Sequence, residues 1–266
     1  MGAPLYCVPG KTGTGAAVTR LAIRDVASAV AGLFFPARCH VCDRVIDGIT
    51  RVPVCDACWN AISPFPAGAL CRICGLPGPA ELSVYECELC VKHPPHFSIA
   101  RSLGEYGGVL RELLHLLKYN GMEPVGRRLG ECLAEIADTS FRECEAVIAV
   151  PLDPARQRTR GYNQAERIAR SLARCINLPL LPGSALRRVR STSTQIGLTR
   201  EERRANMRDA FAADRALVAD RRLLLIDDVM TTGATIDACA IALRSAGARE
   251  VMVLTVARTP QHEITF

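Results

Sequence analysis

The chain has 266 residues, of which 49% are apolar and 23% charged, with 13 cysteines and a formal net charge of +6. That is the composition of an average soluble globular protein, which excludes a mainly disordered chain, and the length fits one large domain or a smaller pair. The positive excess is local: residues 1–150 carry a net −1, residues 151–222 a net +9 with 16 arginines and no lysine, and residues 223–266 a net −2. A segment of that kind seeks anions, whether phosphates, nucleic acid or acidic partners.

Ala16–Phe35 has the spacing of an amphipathic helix ended by Pro36. Its apolar run, Val26–Phe35, is too short to span a bilayer. Phe34-Phe35-Pro36-Ala37-Arg38 makes a poor export cleavage site, so a cytoplasmic protein is expected.

Eight cysteines then form four Cys-x-x-Cys pairs, Cys39/Cys42, Cys55/Cys58, Cys71/Cys74 and Cys87/Cys90, with 12 residues between successive pairs. Two thiolates on one tight turn point at one ion, and two such knuckles complete the tetrahedral sulfur site that Zn²⁺ favours. Four knuckles therefore predict two structural zinc sites with no open position for substrate. A disulfide framework would need an oxidising compartment. Pro64, Pro66 and Gly68 read as a break between the second and third knuckles, which favours sequential pairing over a cross-brace. Residues 39–90 carry a net −3, which argues against this region as a nucleic-acid surface.

Beyond the cysteines, Phe97–Tyr106 reads as a strand and Val109–Tyr119 as a helix with Leu110, Leu113, Leu114 and Leu117 on one face. A helix is expected over 124–137, a strand at Ala146–Val150, a helix at Asn163–Cys175, a strand at Arg222–Ile226, a helix at Thr235–Ala246 and a strand at Glu250–Val256. Apolar strands alternating with helices of this length predict an α/β fold with a parallel sheet covered on both faces. Ligands of such sheets bind beyond the carboxyl ends of the strands.

The most informative stretch is Leu223–Thr235, where four apolar residues lead to Asp227-Asp228 and then to Thr231-Thr232-Gly233-Ala234-Thr235 at a helix start. Backbone N–H groups at a helix N-terminus make a phosphate site. Two carboxylates beside it suit a ligand with hydroxyls or a hard cation in its middle, which describes a ribose phosphate.

Asp227–Thr235 resembles the 5-phosphoribosyl 1-diphosphate (PRPP) motif of type I phosphoribosyltransferases. More broadly, the chain from about Phe34 to Arg258 resembles the ComF-like proteins, which join a cysteine-rich zinc ribbon to a phosphoribosyltransferase domain. Arg111–Gly121, Pro151–Ala165 and Arg188–Phe211 carry the rest of the likeness. The resemblance implies a Rossmann-like type I phosphoribosyltransferase fold over residues 96–266, a double zinc ribbon over 39–95 and an N-terminal tail and helix over 1–38. It implies that Asp227 and Asp228 meet the ribose hydroxyls as the catalytic acids, and that Thr231, Thr232, Gly233, Ala234 and Thr235 hold the 5′-phosphate. Pro151, Leu152 and Asp153 fall on the diphosphate loop; Asp153 stands where the family more often has histidine, which leaves a Mg²⁺-mediated role beside direct diphosphate contact. Arg156, Arg158 and Arg160 are candidates for anion contact, Tyr162, Asn163 and Gln164 for the pocket wall, and Lys118 for a site role. Arg188, Arg190, Gln195, Arg200 and Arg203 mark a candidate closing lid over 187–211. The implied reaction displaces diphosphate from ribose C1 with Mg²⁺ bound to PRPP, onto an acceptor the sequence does not specify. Because the family is associated with natural transformation, two other readings stand beside the enzyme: a DNA-associated protein, with single-stranded DNA or DNA-uptake proteins as partners, and a PRPP-binding regulator without turnover.

Overall fold

The computed structural model describes residues 37–46, 52–65, 70–79, 82, 84–190 and 210–259. The expected helix at 16–35 and the lid candidates Gln195, Arg200 and Arg203 lie outside them. Contacts divide the chain into two units, Met1–Ile62 and Ser63–Phe266.

In the first unit, β1 (Ala37–Arg38) and β2 (Val45–Ile46) form an antiparallel pair, followed by the short helix α1 (Asp56–Asn60). Val54, Trp59 and Ile62 are buried with Cys39 and Cys58.

The second unit runs α2 (Glu88–Lys92), β3 (Ile99–Glu105), α3 (Gly108–Tyr119), α4 (Glu123–Ile136), α5 (Thr139–Arg142), β4 (Ala146–Ala149), α6 (Pro154–Arg160), α7 (Gln164–Cys175), β5 (Leu186–Arg188), β6 (Phe211–Ala213), α8 (Arg215–Val218), β7 (Arg222–Met230), α9 (Ala234–Ser245) and β8 (Glu250–Arg258). Four strands form a parallel sheet in the order β3-β8-β7-β4. The central strands are apolar without interruption because both of their faces are covered: Leu223, Leu224, Leu225 and Ile226 are all fully buried. Alternate strand residues, including Ile148, Leu223, Leu225, Val251 and Val253, share one core with Ile236, Cys239 and Leu243 of α9. Cys71, Cys74, Leu76, Cys87 and Cys90 belong to that same core. Helices α4 and α7 pack on each other, and both also contact the sheet.

Both sheet edges are closed, which removes a template for strand addition. At β4, the Val147 N–H donates to Pro179 O and the Leu181 N–H donates back to Val147 O, at 2.8 and 2.9 Å. At β3, the Phe65 N–H donates to Leu103 O at 3.2 Å and the Ala100 N–H to Ile73 O at 2.6 Å. The third knuckle can come that close only because Gly75 ends it. Its φ is +67°, and a Cβ there would stand 2.6 Å from Ala100 O.

The expected strands and helices of the sheet are present, with two differences near the site. Strand β7 runs four residues past the apolar stretch, through Asp227 and Asp228, because β8 continues alongside and pairs Asp227 with Thr255 and Met230 with Arg258. The basic stretch after β4 is a helix, α6, with Asp153 as its N-cap, Pro154 in its first turn and Gly161 at its end. Short β5 and β6 pair antiparallel as a separate two-stranded element. No helix among the described residues is long and apolar enough to cross a membrane.

Candidate functional site

The cysteines gather into two tetrads in sequential pairing, Cys39, Cys42, Cys55 and Cys58 in one and Cys71, Cys74, Cys87 and Cys90 in the other, each with its sulfurs within 4.8 Å of one another. Zn–S bonds of about 2.3 Å in a tetrahedron give sulfur–sulfur edges of about 3.8 Å. The observed edges match: 3.7 Å for Cys39–Cys58, 3.6 Å for Cys42–Cys55 and 3.6 Å for Cys74–Cys87. The two tetrads repeat one detail, an N–H donated by the third cysteine to the first sulfur, Cys55 to Cys39 at 3.3 Å and Cys87 to Cys71 at 3.4 Å. In the second tetrad the three neighbouring thiols hold Cys71 far below the ordinary thiol range and push Cys90 far above it. Four sulfurs this close cannot all ionise without a cation, so the donor set fits Zn²⁺ with four protein ligands and no open position. His93 and His96 are not in either tetrad; the His96 backbone N–H and Nδ1 meet Asp237 Oδ1 at 2.7 and 3.1 Å.

At the other candidate site, β7 brings Asp227 and Asp228 to the carboxyl end of the sheet. Lys118, near the end of α3, forms an ion pair with Asp228, Nζ to Oδ1 at 3.1 Å, and both side chains are largely covered. Asp227 is half-buried and turns Oδ1 back to accept the Asp228 N–H at 2.8 Å. Burial, then the adjacent Asp228 carboxylate, push the Asp227 carboxyl up to about 8; the Asp228 N–H and Lys118 oppose this without cancelling it. A site that sets two carboxyl groups side by side, with one pushed toward its neutral form, suits a ligand that brings hydroxyl donors, or positive charge that displaces the proton.

Thr231–Gly233 form the turn from β7 into α9, and Gly233 caps the helix with φ +81°. Only glycine adopts this conformation without strain, and as the cap it brings no side chain of its own to the first N–H groups of α9. Thr232 Oγ1 accepts the Ala234 N–H at 3.4 Å. Ala234 and Thr235 open the helix.

Asp153 Oδ1 accepts the Ala155 N–H at 2.9 Å and the Arg156 N–H at 3.4 Å, while Oδ2 lies 3.9 Å from Arg188 Nε. This carboxylate is therefore a helix cap that also faces an arginine, which accounts for an acid on a loop expected to meet an anion. Arg156 and Arg158 are exposed on α6, which buries no residue. Arg160 stacks over Tyr119 at 5.2 Å. Tyr162 is buried and donates its hydroxyl to Leu117 O, tying α3 to the start of α7. Asn163 caps α7 by accepting the Ala165 N–H at 3.0 Å, and its Nδ2 donates to Val150 O at 2.9 Å. Both residues brace the walls. Gln164 is 1% exposed, and its Nε2 has no hydrogen-bond partner among the described residues. Arg188 lies over Phe211 at 5.5 Å, and burial lowers its pKa. Arg190 is exposed. One residue that sequence reasoning passed over is Arg258, 4% exposed at the end of β8 and hydrogen-bonded to Cys74.

These features define a class: a sulfur-ligated zinc module joined to a parallel α/β domain with a glycine-capped helix start after its acidic strand. Comparison agrees, since a double zinc ribbon domain matches residues 30–91 and a phosphoribosyl transferase domain matches residues 158–264. Among curated proteins, Competence protein F of Haemophilus influenzae is 33% identical over 234 residues, 85% of this chain and 98% of that protein. DNA utilization protein YhgH of Escherichia coli is 30% identical over 232 residues, covering 85% of this chain and 99% of the relative. The chain belongs to this competence protein F family of double zinc ribbons fused to phosphoribosyltransferase domains. A solved structure, the glutamine PRPP amidotransferase of B. subtilis, overlaps 50% of this chain and 26% of that one at 24% identity and a TM-score of 0.36, too low to bear on the site.

Proposed function

We propose that residues 96–266 bind PRPP with Mg²⁺ and transfer its phosphoribosyl group to a nucleophilic acceptor with release of diphosphate. The observation that carries this reading is the Lys118–Asp228 ion pair beside Asp227, directly upstream of a glycine-capped helix start. Asp227 and Asp228 accept the ribose 2′- and 3′-hydroxyls, and the ion pair with Lys118 orients Asp228 for that task. Thr231, Thr232, Gly233, Ala234 and Thr235 receive the 5′-phosphate through N–H and hydroxyl donors. Pro151, Leu152 and the N-terminal turn of α6 face the diphosphate, with Asp153 fixing that turn and Arg156 and Arg160 supplying positive charge. Asp227 and Asp228 would also be the protein ligands of a Mg²⁺ ion that arrives with PRPP, since this ion usually takes one or two carboxylates together with substrate phosphates. When bound, the ion supplies neutralising charge to the departing diphosphate. The chain's own contribution is to align C1 with the acceptor and to keep water out, with the 187–211 segment, including Arg188, Arg190, Gln195, Arg200 and Arg203, as the lid. Thiolate ligands for zinc favour a reducing compartment, the cytoplasm.

The exposed arginines of α6, next to Tyr119 at 68% exposure, favour a second reading in which single-stranded DNA binds beside this site. One experiment tests both. Diphosphate release from PRPP is followed across nucleobases and amines, with and without single-stranded DNA at two salt concentrations. The enzyme reading predicts acceptor-dependent release that Asp227→Asn with Asp228→Asn abolishes. Binding of PRPP with no release for any acceptor would favour a regulator instead, and a DNA effect insensitive to salt would remove the phosphate-contact surface on α6.

A further inference from the structure

Arg258 is a guanidinium with 4% exposure, and no acidic partner accounts for it among the described residues. Its hydrogen bonds go elsewhere. Nη1 donates to Cys74 O at 2.8 Å and to Met230 Sδ at 3.0 Å, Nη2 approaches Cys74 Sγ at 3.6 Å, and Nε has no partner. Burying an unpaired cation is expensive, so the charge needs a counterpart. The second tetrad provides one. Four thiolates around one Zn²⁺ carry a formal charge of about −2, and Cys74 is one of those four. Charge-assisted hydrogen bonds to ligand atoms orient them and tune their hold on the metal.

The other contact of Arg258 leads to the phosphate-type loop. Met230 is its register partner on β7 and the residue just before Thr231. The Met230 Cε lies 2.9 Å from where a Cβ on Gly233 would stand, so it rests against the turn. A second link runs from the ribbon to the same helix, through the His96 N–H bonded to Asp237 in the first turn of α9. A cavity of about 30 Å³ is lined by Cys74, Cys90 and His93 of the ribbon together with Thr232, Gly233 and Asp237 of the loop and helix.

We infer that Arg258 is a positioning residue that couples the second zinc centre to the 231–235 loop. The thiolate charge of the tetrad holds the guanidinium, the guanidinium holds Met230, and Met230 sets the turn at Gly233. The zinc ribbon is in this respect part of the ligand site, although its ligand set leaves no position for substrate. The loop's role in binding PRPP is the reading proposed above, but the coupling itself is a property of the folded chain and is tested without PRPP.

The test uses the full zinc-loaded chain and compares wild type, Arg258→Met and Arg258→Lys. Zinc release to a colorimetric chelator is followed together with amide hydrogen exchange over residues 230–237, and PRPP is added in a separate arm. In Arg258→Met, one zinc per chain is expected to leave about 10–100-fold faster while the other is unchanged, with faster exchange over 230–237. Arg258→Lys, which keeps one donor but not the span from Cys74 to Met230, is expected to restore zinc retention more fully than loop protection. If the methionine variant does not fold, Arg258→Lys decides: faster exchange at 230–237 in a folded, zinc-loaded lysine variant supports the coupling, and exchange equal to wild type overturns it. In the PRPP arm, binding should slow loss of that zinc by about fivefold or more in wild type, because coupling is reciprocal. Unchanged zinc release and unchanged exchange in folded Arg258→Met would overturn the inference. Coupling that persists when PRPP fails to bind would overturn the PRPP reading and support the role of Arg258.

Discussion

The two cysteine tetrads have the same spacing, the same sulfur geometry and the same internal hydrogen bond, yet they occupy different places in the chain's architecture. In the first, Cys42 is exposed and Cys55 partly so, and the surrounding core is a few residues of its own unit. In the second, all four sulfurs are buried and belong to the core of the parallel sheet. One tetrad holds together a small module; the other is a wall of a larger domain. Repetition in sequence thus does not mean equivalence in role. What separates them is the surroundings: Gly75 against β3, Arg258 against Cys74, and His96 against Asp237.

The largest expected effect comes from breaking one tetrad at a time. Cys71→Ser removes a zinc ligand from the interior of the 63–266 unit, where structural zinc binding is worth about 10–16 kcal/mol in small peptides. That unit is expected to lose its cooperative melting transition and one zinc per chain. Cys42→Ser should also cost one zinc but leave the main transition in place. Metal analysis alongside calorimetry checks both, and equal damage from the two variants would show that the tetrads are equivalent after all.

A smaller effect sharpens the same contrast, between parts of the unit that stabilise it and the acidic lip that does not. The Asp227 carboxyl is raised from 3.8 to about 8, facing Asp228, Lys118 and the buried Cys239 thiol. Between those values the folded chain keeps a proton that the unfolded chain has lost, so stability falls as pH rises through the window. Asp227→Asn should abolish that fall. The melting temperature of the unliganded variant should overtake that of wild type progressively toward pH 8, and a constant difference across the window would contradict the assignment. Sites held ready for a ligand commonly trade stability in this way.

Much of this was legible from residue order. The four Cys-x-x-Cys pairs and the apolar run at Leu223–Ile226 announce local structures whose determinants lie within a few residues of each other. The helix at Pro154–Arg160 is also signalled, by Asp153-Pro154 at one end and Gly161 at the other, although its three arginines give it the composition of a solvated basic loop. The extension of β7 through Asp227 and Asp228 was not legible, because it depends on pairing with β8 more than twenty residues away. Nor was Arg258: its partners, Cys74 and Met230, are distant in sequence, and a lone arginine at a strand end looks like any exposed charge. The sequence motif marked Asp227 and Asp228 as a pair, while only the fold shows them unequal, one paired with Lys118 and the other crowded toward its neutral form.

The central claim is that the acids of β7 and the loop after them form a PRPP site. Titration calorimetry of the zinc-loaded chain with PRPP, in the presence and absence of Mg²⁺, tests it most directly. The account predicts one PRPP per chain, tighter binding with Mg²⁺, and binding weakened at least about tenfold, roughly one lost charge-assisted hydrogen bond, when Asp227 and Asp228 are both changed to asparagine. No heat of binding in wild type, or equal affinity in the double variant, would contradict it.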